Sequence, residues 1–465
     1  MARSTVDTDH LVLGAGALGM AFVDALVDHA DVHVTVIDRR LTAGGHWNDA
    51  YPFVQLHQAS LFYGVASTVL GTGEVQADGP ESGLQQRAHR VEIQAYYDGV
   101  LRRLVSTGRV TFLGGHEHRF DGEAHVATSL ASGEEVEVRA RRRFVDATYL
   151  APTIPATTPP PFDCTDDVRV VPVGALGALG DEAEEYVIVG AGKTATDAIV
   201  WLLRNGVDPD RIVWVRPRDP WMLNRAVVQP DPVVALGLAH DTMAAAAGAE
   251  SLDDLFLRLE AADVMLRIDP EVVPTMAKAP TLGRWELDLL RTVGRVVRLG
   301  HIDRVTSDEV VLDRGRVALA RCSLVVHCAA AGLQYPPRVP IWDEDAVRLQ
   351  TIRAGFPCFN AALAGYVEAT RDDDRERNRL CPPNSLSDDP ATYAAMQVRG
   401  ALATRAFMAE PDIAAWANAC ALNPSRVLPE QRDDPAVQAA SRRAAAVADA
   451  GLARLAELAE LPPPW

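Results

Sequence analysis

Two short glycine-rich strings could hold an anion on backbone alone: Gly14-Ala-Gly16-Ala17-Leu18-Gly19 and Gly190-Ala-Gly192-Lys193-Thr194-Ala195. In each, an apolar run precedes the glycines and a helical pattern follows them. In the first, Gly14 permits a tight turn, Gly16 lets the backbone approach a pyrophosphate, and Gly19 lets the helix pack on the strand. The helix start then offers unpaired N–H groups and a partial positive charge to phosphate oxygens. Asp38 ends the next apolar run, where a carboxylate accepts hydrogen bonds from ribose hydroxyls, and Arg39 beside it is a further candidate contact. A chance glycine turn would leave Asp38 unexplained.

The second string differs in a way that matters chemically. Its following apolar run, 211–215, ends in Arg216-Pro-Arg218 instead of an acid. A carboxylate there would repel a 2′-phosphate, whereas a guanidinium binds one bidentately. NADPH is therefore expected over NADH, although Arg218 read alone is equally a surface charge. Lys193 either adds a point charge to the phosphates or is a solvated residue at a helix start. Ala195 stands where the third glycine is replaceable by alanine. Gly192-Lys193-Thr194 is not a nucleotide-triphosphate loop, because the glycine that motif needs five residues earlier is Val187.

The elements that must carry these residues follow from periodicity. A strand at 10–13, a helix to about residue 28 and a strand at 32–37 frame the first string. A helix at 91–104, a strand at 110–113, a small hairpin with strands at 125–130 and 136–138, and a return strand at 144–147 follow. Proline-rich residues 152–161 read as an exit from this unit. The second string lies between strands 186–189 and 211–215, and residues 219–294 read as a mainly helical insertion. Strand character returns at 296–299, 301–305, 310–312 and 324–327. Beyond Asn384 the chain reads as helices at 390–408, 413–420 and 435–458. With 465 residues, two or three domains are expected. The fold class is α/β, with two Rossmann-like dinucleotide-binding domains of the glutathione-reductase-like kind. The expected boundaries are 1–155 for the first domain, 165–322 for the second, 323–384 for a return to the first, and 385–465 for a helical C-terminal region.

The segment after Asp38 narrows the first ligand. Gly44-Gly45-His46-Trp47 resembles the G-G-x-W of class B flavoprotein monooxygenases, which include flavin-containing, N-hydroxylating and Baeyer–Villiger types. Tyr51-Pro52 and the run from His57 through Gln58 and Ser60 to Tyr63 match that family's further motifs in spacing. The resemblance implies FAD in the first fold, contacted by Gly45, His46 and Trp47, with Gly332 beside the ring in the string 324–333. Trp47 is otherwise an ordinary core aromatic. It also implies NADPH in the second fold, and an oxygen atom passed to a nitrogen or sulfur, less readily a carbon, through a C4a-(hydro)peroxyflavin. His57, Gln58 and Tyr63 are the candidate pocket residues; a loop histidine and a core tyrosine are their structural alternatives.

The match has gaps. After Phe162 the chain lacks the fingerprint of Baeyer–Villiger enzymes, and Ala66-Ser67 stands near where flavin-containing monooxygenases place an asparagine. Three readings stay open: a monooxygenase using a small-molecule substrate and molecular oxygen; a flavoprotein reductase, dehydrogenase or oxidase; and a degenerate cofactor-binding protein. A net charge of −18 argues against nucleic acid and anionic membrane as partners. The 6 cysteines are scattered without metal-ligand spacing, and none precedes Cys164 to supply a disulfide-reductase pair. No metal is expected. A cytoplasmic enzyme, with homodimerisation open, completes the expectation.

Overall fold

Alternating and continuous runs of β-branched residues build the first sheet of the computed structural model, which describes residues 4–179, 183–330, 332 and 334–463. In chain order its elements are β1 (Ser4–Leu13), α1 (Ala17–His29), β2 (Val34–Asp38), α2 (Arg90–Ser106), β3 (Val110–Gly114), β4 (His116–Phe120), β5 (His125–Ser129) and β6 (Glu135–Asp146). The sheet order is β3-β2-β1-β6-β5-β4. Strands β3, β2, β1 and β6 run parallel, and β4 and β5 complete an antiparallel meander. The segments read separately as 136–138 and 144–147 are one strand. It stays continuous through its arginine-rich middle because β1 pairs along its whole length and Asp9 meets Arg141 and Arg142 at the surface.

The next elements are β7 (Asp163–Cys164), β8 (Arg169–Pro172), β9 (Glu185–Val189), α3 (Lys193–Arg204) and β10 (Ile212–Val215). The insertion then adds β11 (Trp221–Asn224), α4 (Pro232–Ala247), α5 (Leu252–Ala261), β12 (Met265–Arg267), β13 (Thr281–Leu282) and α6 (Arg284–Leu290). It is followed by β14 (Arg295–Val297), β15 (Ile302–Val305), β16 (Glu309–Leu312), β17 (Gly315–Ala318) and β18 (Ser323–His327). The second sheet, β14-β10-β9-β18-β8, is wholly parallel.

One expectation is corrected here, and another is filled in. Strand β18 lies between β9 and β8, so it belongs to the second sheet and does not open the return to the first. Leu324, Val325 and Val326 are all buried, as a parallel sheet covered on both faces demands. The chain rejoins the first unit later, at an antiparallel bridge between Gly332 and Thr153 and at β19 (Val347–Arg348), which pairs with β6. The insertion is also not only helical: β11, β12 and β13 form a small sheet of their own. Strands of two to four residues are too short to show a period.

The remaining helices are α7 (Pro357–Thr370), α8 (Asp374–Leu380), α9 (Pro390–Met408), α10 (Pro411–Ala419) and α11 (Pro435–Leu458). Asp-Pro pairs set the starts of α9 and α11. The Asp389 carboxylate accepts from the Thr392 N–H at 2.8 Å and the Asp434 carboxylate from the Ala436 N–H at 2.7 Å, each with proline at the next position. Helix α11 lies so close on α4 that a Cβ on Gly451 would fall 2.7 Å from the Met243 Cα. The C-terminal helices thus roof the insertion.

Candidate active site

Both glycine strings open into one cleft of about 1560 Å³. This exceeds the roughly 300–1000 Å³ of a single-ligand pocket. Its walls come from the two cradles, the loop of residues 45–63, the insertion, and helices α9 and α11.

In the first cradle Gly14 takes a φ of +101°, which a side chain would oppose. Asp38 staples the turn: its carboxylate accepts from the Ala15 N–H at 2.7 Å and from the Arg40 N–H at 2.8 Å. Gly16 caps α1 without any side-chain bond, so the helix N–H groups stay available. Gly45 abuts this turn, since a Cβ there would come 2.9 Å from the Gly16 Cα. Gly14, Gly16, Ala17, Leu18, Asp38, Gly45, His46, Trp47 and Gly332 all line the cleft. Gly19 sits behind it, where a Cβ would collide with the Gly14 carbonyl. Arg39 departs from expectation. Its side chain is 74% exposed and faces Glu117 at 4.0 Å. Arg40 lines the cleft instead, bonded to Asp49. Alternation along an extended chain decides which of two adjacent arginines turns inward, and sequence alone does not give its phase.

The second cradle repeats the geometry. Gly190 has a φ of +134°, and Gly192 caps α3 without a side-chain bond. A Cβ on Gly192 would meet nothing within 4 Å, so space for an anion lies open before the helix start. Gly190, Gly192, Lys193 and Thr194 line the cleft, and Ala195 is buried behind them. The residues at each cradle therefore fit a dinucleotide pyrophosphate.

Arg216 is a second departure. It is 1% exposed, lies 4.3 Å from the Trp214 ring centroid, and pairs with Asp219 at 2.8 Å. Burial lowers its guanidinium to about 10, although Asp219 opposes the shift. It does not line the cleft. Arg218 does line the cleft, with Lys278 nearby; both reach Asp388, at 3.3 and 3.4 Å.

Between the cradles runs a chain of buried charges that the sequence did not reveal. Arg225, 1% exposed, bonds Glu81 from the loop after the first cradle and Glu286 of α6, the latter at 2.6 Å. Arg87 also grips Glu81, at 2.9 Å. Glu286 reaches Lys193 at 3.3 Å; Lys193 in turn bonds Asp197, whose carboxylate accepts from the Tyr51 hydroxyl at 2.6 Å. Burial alone would raise the Glu286 carboxyl, but Lys193, Arg225 and Arg87 outweigh it and hold it at about 2. Cations at Lys193, Arg87 and Arg225 are matched by anions at Glu81, Glu286 and Asp197, which lets the network be buried at tolerable cost. No motif marks it, because its members come from four separate segments.

His57, Gln58 and Tyr63 all line the cleft. Arg225 Nε donates to the His57 carbonyl at 2.9 Å, and the Thr281 hydroxyl donates to the same oxygen. The Thr281 N–H donates to His57 Nδ1 at 3.4 Å, so the neutral ring carries its proton on Nε2. Burial, reinforced by Lys193 and Arg225, pushes the imidazole down to about 3. His57 is thus a neutral group at physiological pH. The Tyr63 hydroxyl accepts from Trp47 Nε1 at 2.6 Å, and burial raises its pKa well above the usual phenol range. Trp47 and Tyr63 both belong to the buried core and both line the cleft.

Two sheets with parallel strands at their centres, each leading into an uncapped glycine cradle on a shared cleft, define a protein with two dinucleotide-binding folds. The chain belongs to the family of an uncharacterized protein of Mycobacterium tuberculosis, 39% identical over 423 residues that make up 90% of this chain and 78% of that one. A Mycobacterium bovis relative matches to the same extent. No protein-family model matches the chain. Among solved structures, it is similar to an oxidized steroid monooxygenase bound to NADP, with TM-score 0.49 and 14% identity over 78% of this chain and 85% of that one. It is also similar to a flavin-containing monooxygenase from Stenotrophomonas maltophilia, with TM-score 0.41 and 13% identity over 70% and 78%. Among the described residues, no helix is long and apolar enough to cross a membrane.

Proposed function

We propose that the chain is an FAD- and NADPH-dependent monooxygenase that oxygenates a nitrogen or sulfur of a small molecule. The observation carrying this reading is the pair of uncapped cradles, led by Gly16 and Gly192, opening into one cleft. Flavin, when bound, supplies the redox chemistry with hydride donor and oxygen. The chain's own residues bind, orient and exclude water. The first cradle and Asp38 would hold FAD; Gly190, Gly192, Lys193 and Thr194 would hold the pyrophosphate of NADPH, with Arg218 and Lys278 for its 2′-phosphate. His57 offers a fixed Nε2–H donor to the cleft, and Trp47 and Tyr63 keep its wall rigid and dry.

A second reading, a flavoprotein reductase or oxidase without oxygen transfer, has one observation in its favour. Ser67 bonds Asp24, and neither Ala66 nor Ser67 lines the cleft, so neither residue takes the part of the asparagine noted above. The deciding experiment gives the yellow holoenzyme NADPH and oxygen with a panel of amines and thioethers, and identifies products by mass. Incorporation of labelled oxygen supports the monooxygenase. Oxygen converted only to hydrogen peroxide supports the oxidase. A colourless protein that takes up no flavin overturns both.

A further inference from the structure

Arg353 is a charge without a counter-charge. It precedes α7, lines the cleft, and has no carboxylate partner among the described residues. Its Nη1 donates to Asn423 Oδ1 at 3.0 Å and its Nη2 to Ser425 Oγ at 3.2 Å, both neutral acceptors. Its Nε is fully buried with no partner. Phe356 and Phe359 lie 5.5 and 5.9 Å from the guanidinium carbon. Of five N–H donors, two are used. Burial lowers the group only to about 10, so it stays cationic at neutral pH. Arg353 is half-buried, and a cation partly withdrawn from water with no counter-charge gains from an anion brought to it. Among the described residues, the fully buried arginines do have carboxylate partners: Arg225 has Glu81 and Glu286, Arg216 has Asp219, and Arg377 has Glu368 and Asp374.

The surroundings of Arg353 say what else the ligand is. Ala354 packs directly on Gly400 of α9, so the arginine stands at the edge of the cleft wall that α9 makes with α4 and α11. That wall is mainly apolar, with Met243, Met396 and Leu452, and also presents Thr242, Gln397 and Arg405. We propose that this arm of the cleft is the substrate subsite, and that it takes an apolar chain ending in a carboxylate, which Arg353 receives with its free N–H groups. The inference rests on the reading of the cleft as a flavoenzyme active site. It adds the substrate class: an amphiphilic organic acid, with its apolar body along α4, α9 and α11.

The test uses the full-length holoenzyme and calorimetric titration with decanoate and, separately, decanol, so that binding is read without turnover. Wild type is expected to bind decanoate at least about tenfold more tightly than decanol, the size of one charge-assisted hydrogen bond. R353M should remove that preference, and R353K should keep part of it, which guards against a variant that merely misfolds. Equal affinities in wild type, or an unchanged preference in R353M, would overturn the proposal. A third outcome also overturns it: R353M shifts the flavin midpoint potential but leaves the decanoate preference, which would make the flavin ring the missing anion. Because binding is measured by heat, failure of NADPH to reduce the protein would count against the proposed activity and leave this result readable.

Discussion

Arg225 and His57 are 168 residues apart in the chain and joined by one hydrogen bond, from Arg225 Nε to the His57 carbonyl. That bond ties the insertion of the second unit to a loop of the first, and the same guanidinium neutralises Glu81 and Glu286. The cleft's shape and its charge balance thus depend on a single buried side chain.

Arg225→Met should therefore cost much more than a lost contact. It leaves two buried carboxylates facing each other with less cation, a change worth about 3–5 kcal/mol. Chemical denaturation should show a loss of this size, and Arg225→Lys should recover part of it. A loss below about 1 kcal/mol would show that the network is solvated and weak.

Glu286 makes acid stability legible. Its folded carboxyl, held at about 2 against the ordinary 4.5, binds protons more weakly than the unfolded one. Its contribution is complete above about pH 4.5 and drains away as the pH falls towards 2, on the order of 3 kcal/mol in all. Glu286→Gln should be less stable at neutral pH, and the gap to wild type should close as acid is added. A gap independent of pH would refute the charge argument.

The cradles should separate the two nucleotides. Gly16→Val places a side chain where the first pyrophosphate belongs, and the protein should purify colourless. Gly192→Val should stay yellow yet fail to bleach with NADPH. Absorbance spectra before and after NADPH distinguish a colourless protein, a yellow one that bleaches and a yellow one that does not.

The two arginines after β10 should behave unlike each other. Arg218→Ala is expected to weaken NADPH by about tenfold with little change for NADH, as the loss of one charged hydrogen bond predicts. Arg216→Ala should lower the melting temperature and leave the ratio of the two nucleotides' KM values as it is, because Arg216 faces Asp219 and Trp214.

His57 should contribute no inflection to the rate between about pH 5 and 8, since burial keeps its imidazole neutral throughout that range. His57→Asn preserves a donor and should leave the pH profile unchanged in shape. A histidine-like inflection in wild type that His57→Asn removes would contradict this.

What the sequence determined by itself is local. Gly14 to Gly19, Asp38 and Gly190 to Ala195 were legible because strand, turn, helix start and acid lie within a few dozen residues and each obeys a short-range rule. The helices over 390–408 and 435–458 were equally legible from their periodic apolar pattern. Tertiary structure alone decided what depends on distant partners: that β18 joins the second sheet, that Arg40 and Arg218 line the cleft while Arg39 and Arg216 do not, and that Arg225, Glu81, Glu286 and Lys193 form one network. Side-chain direction and charge pairing are set by which segments the fold brings alongside one another, and no spacing along the chain encodes that.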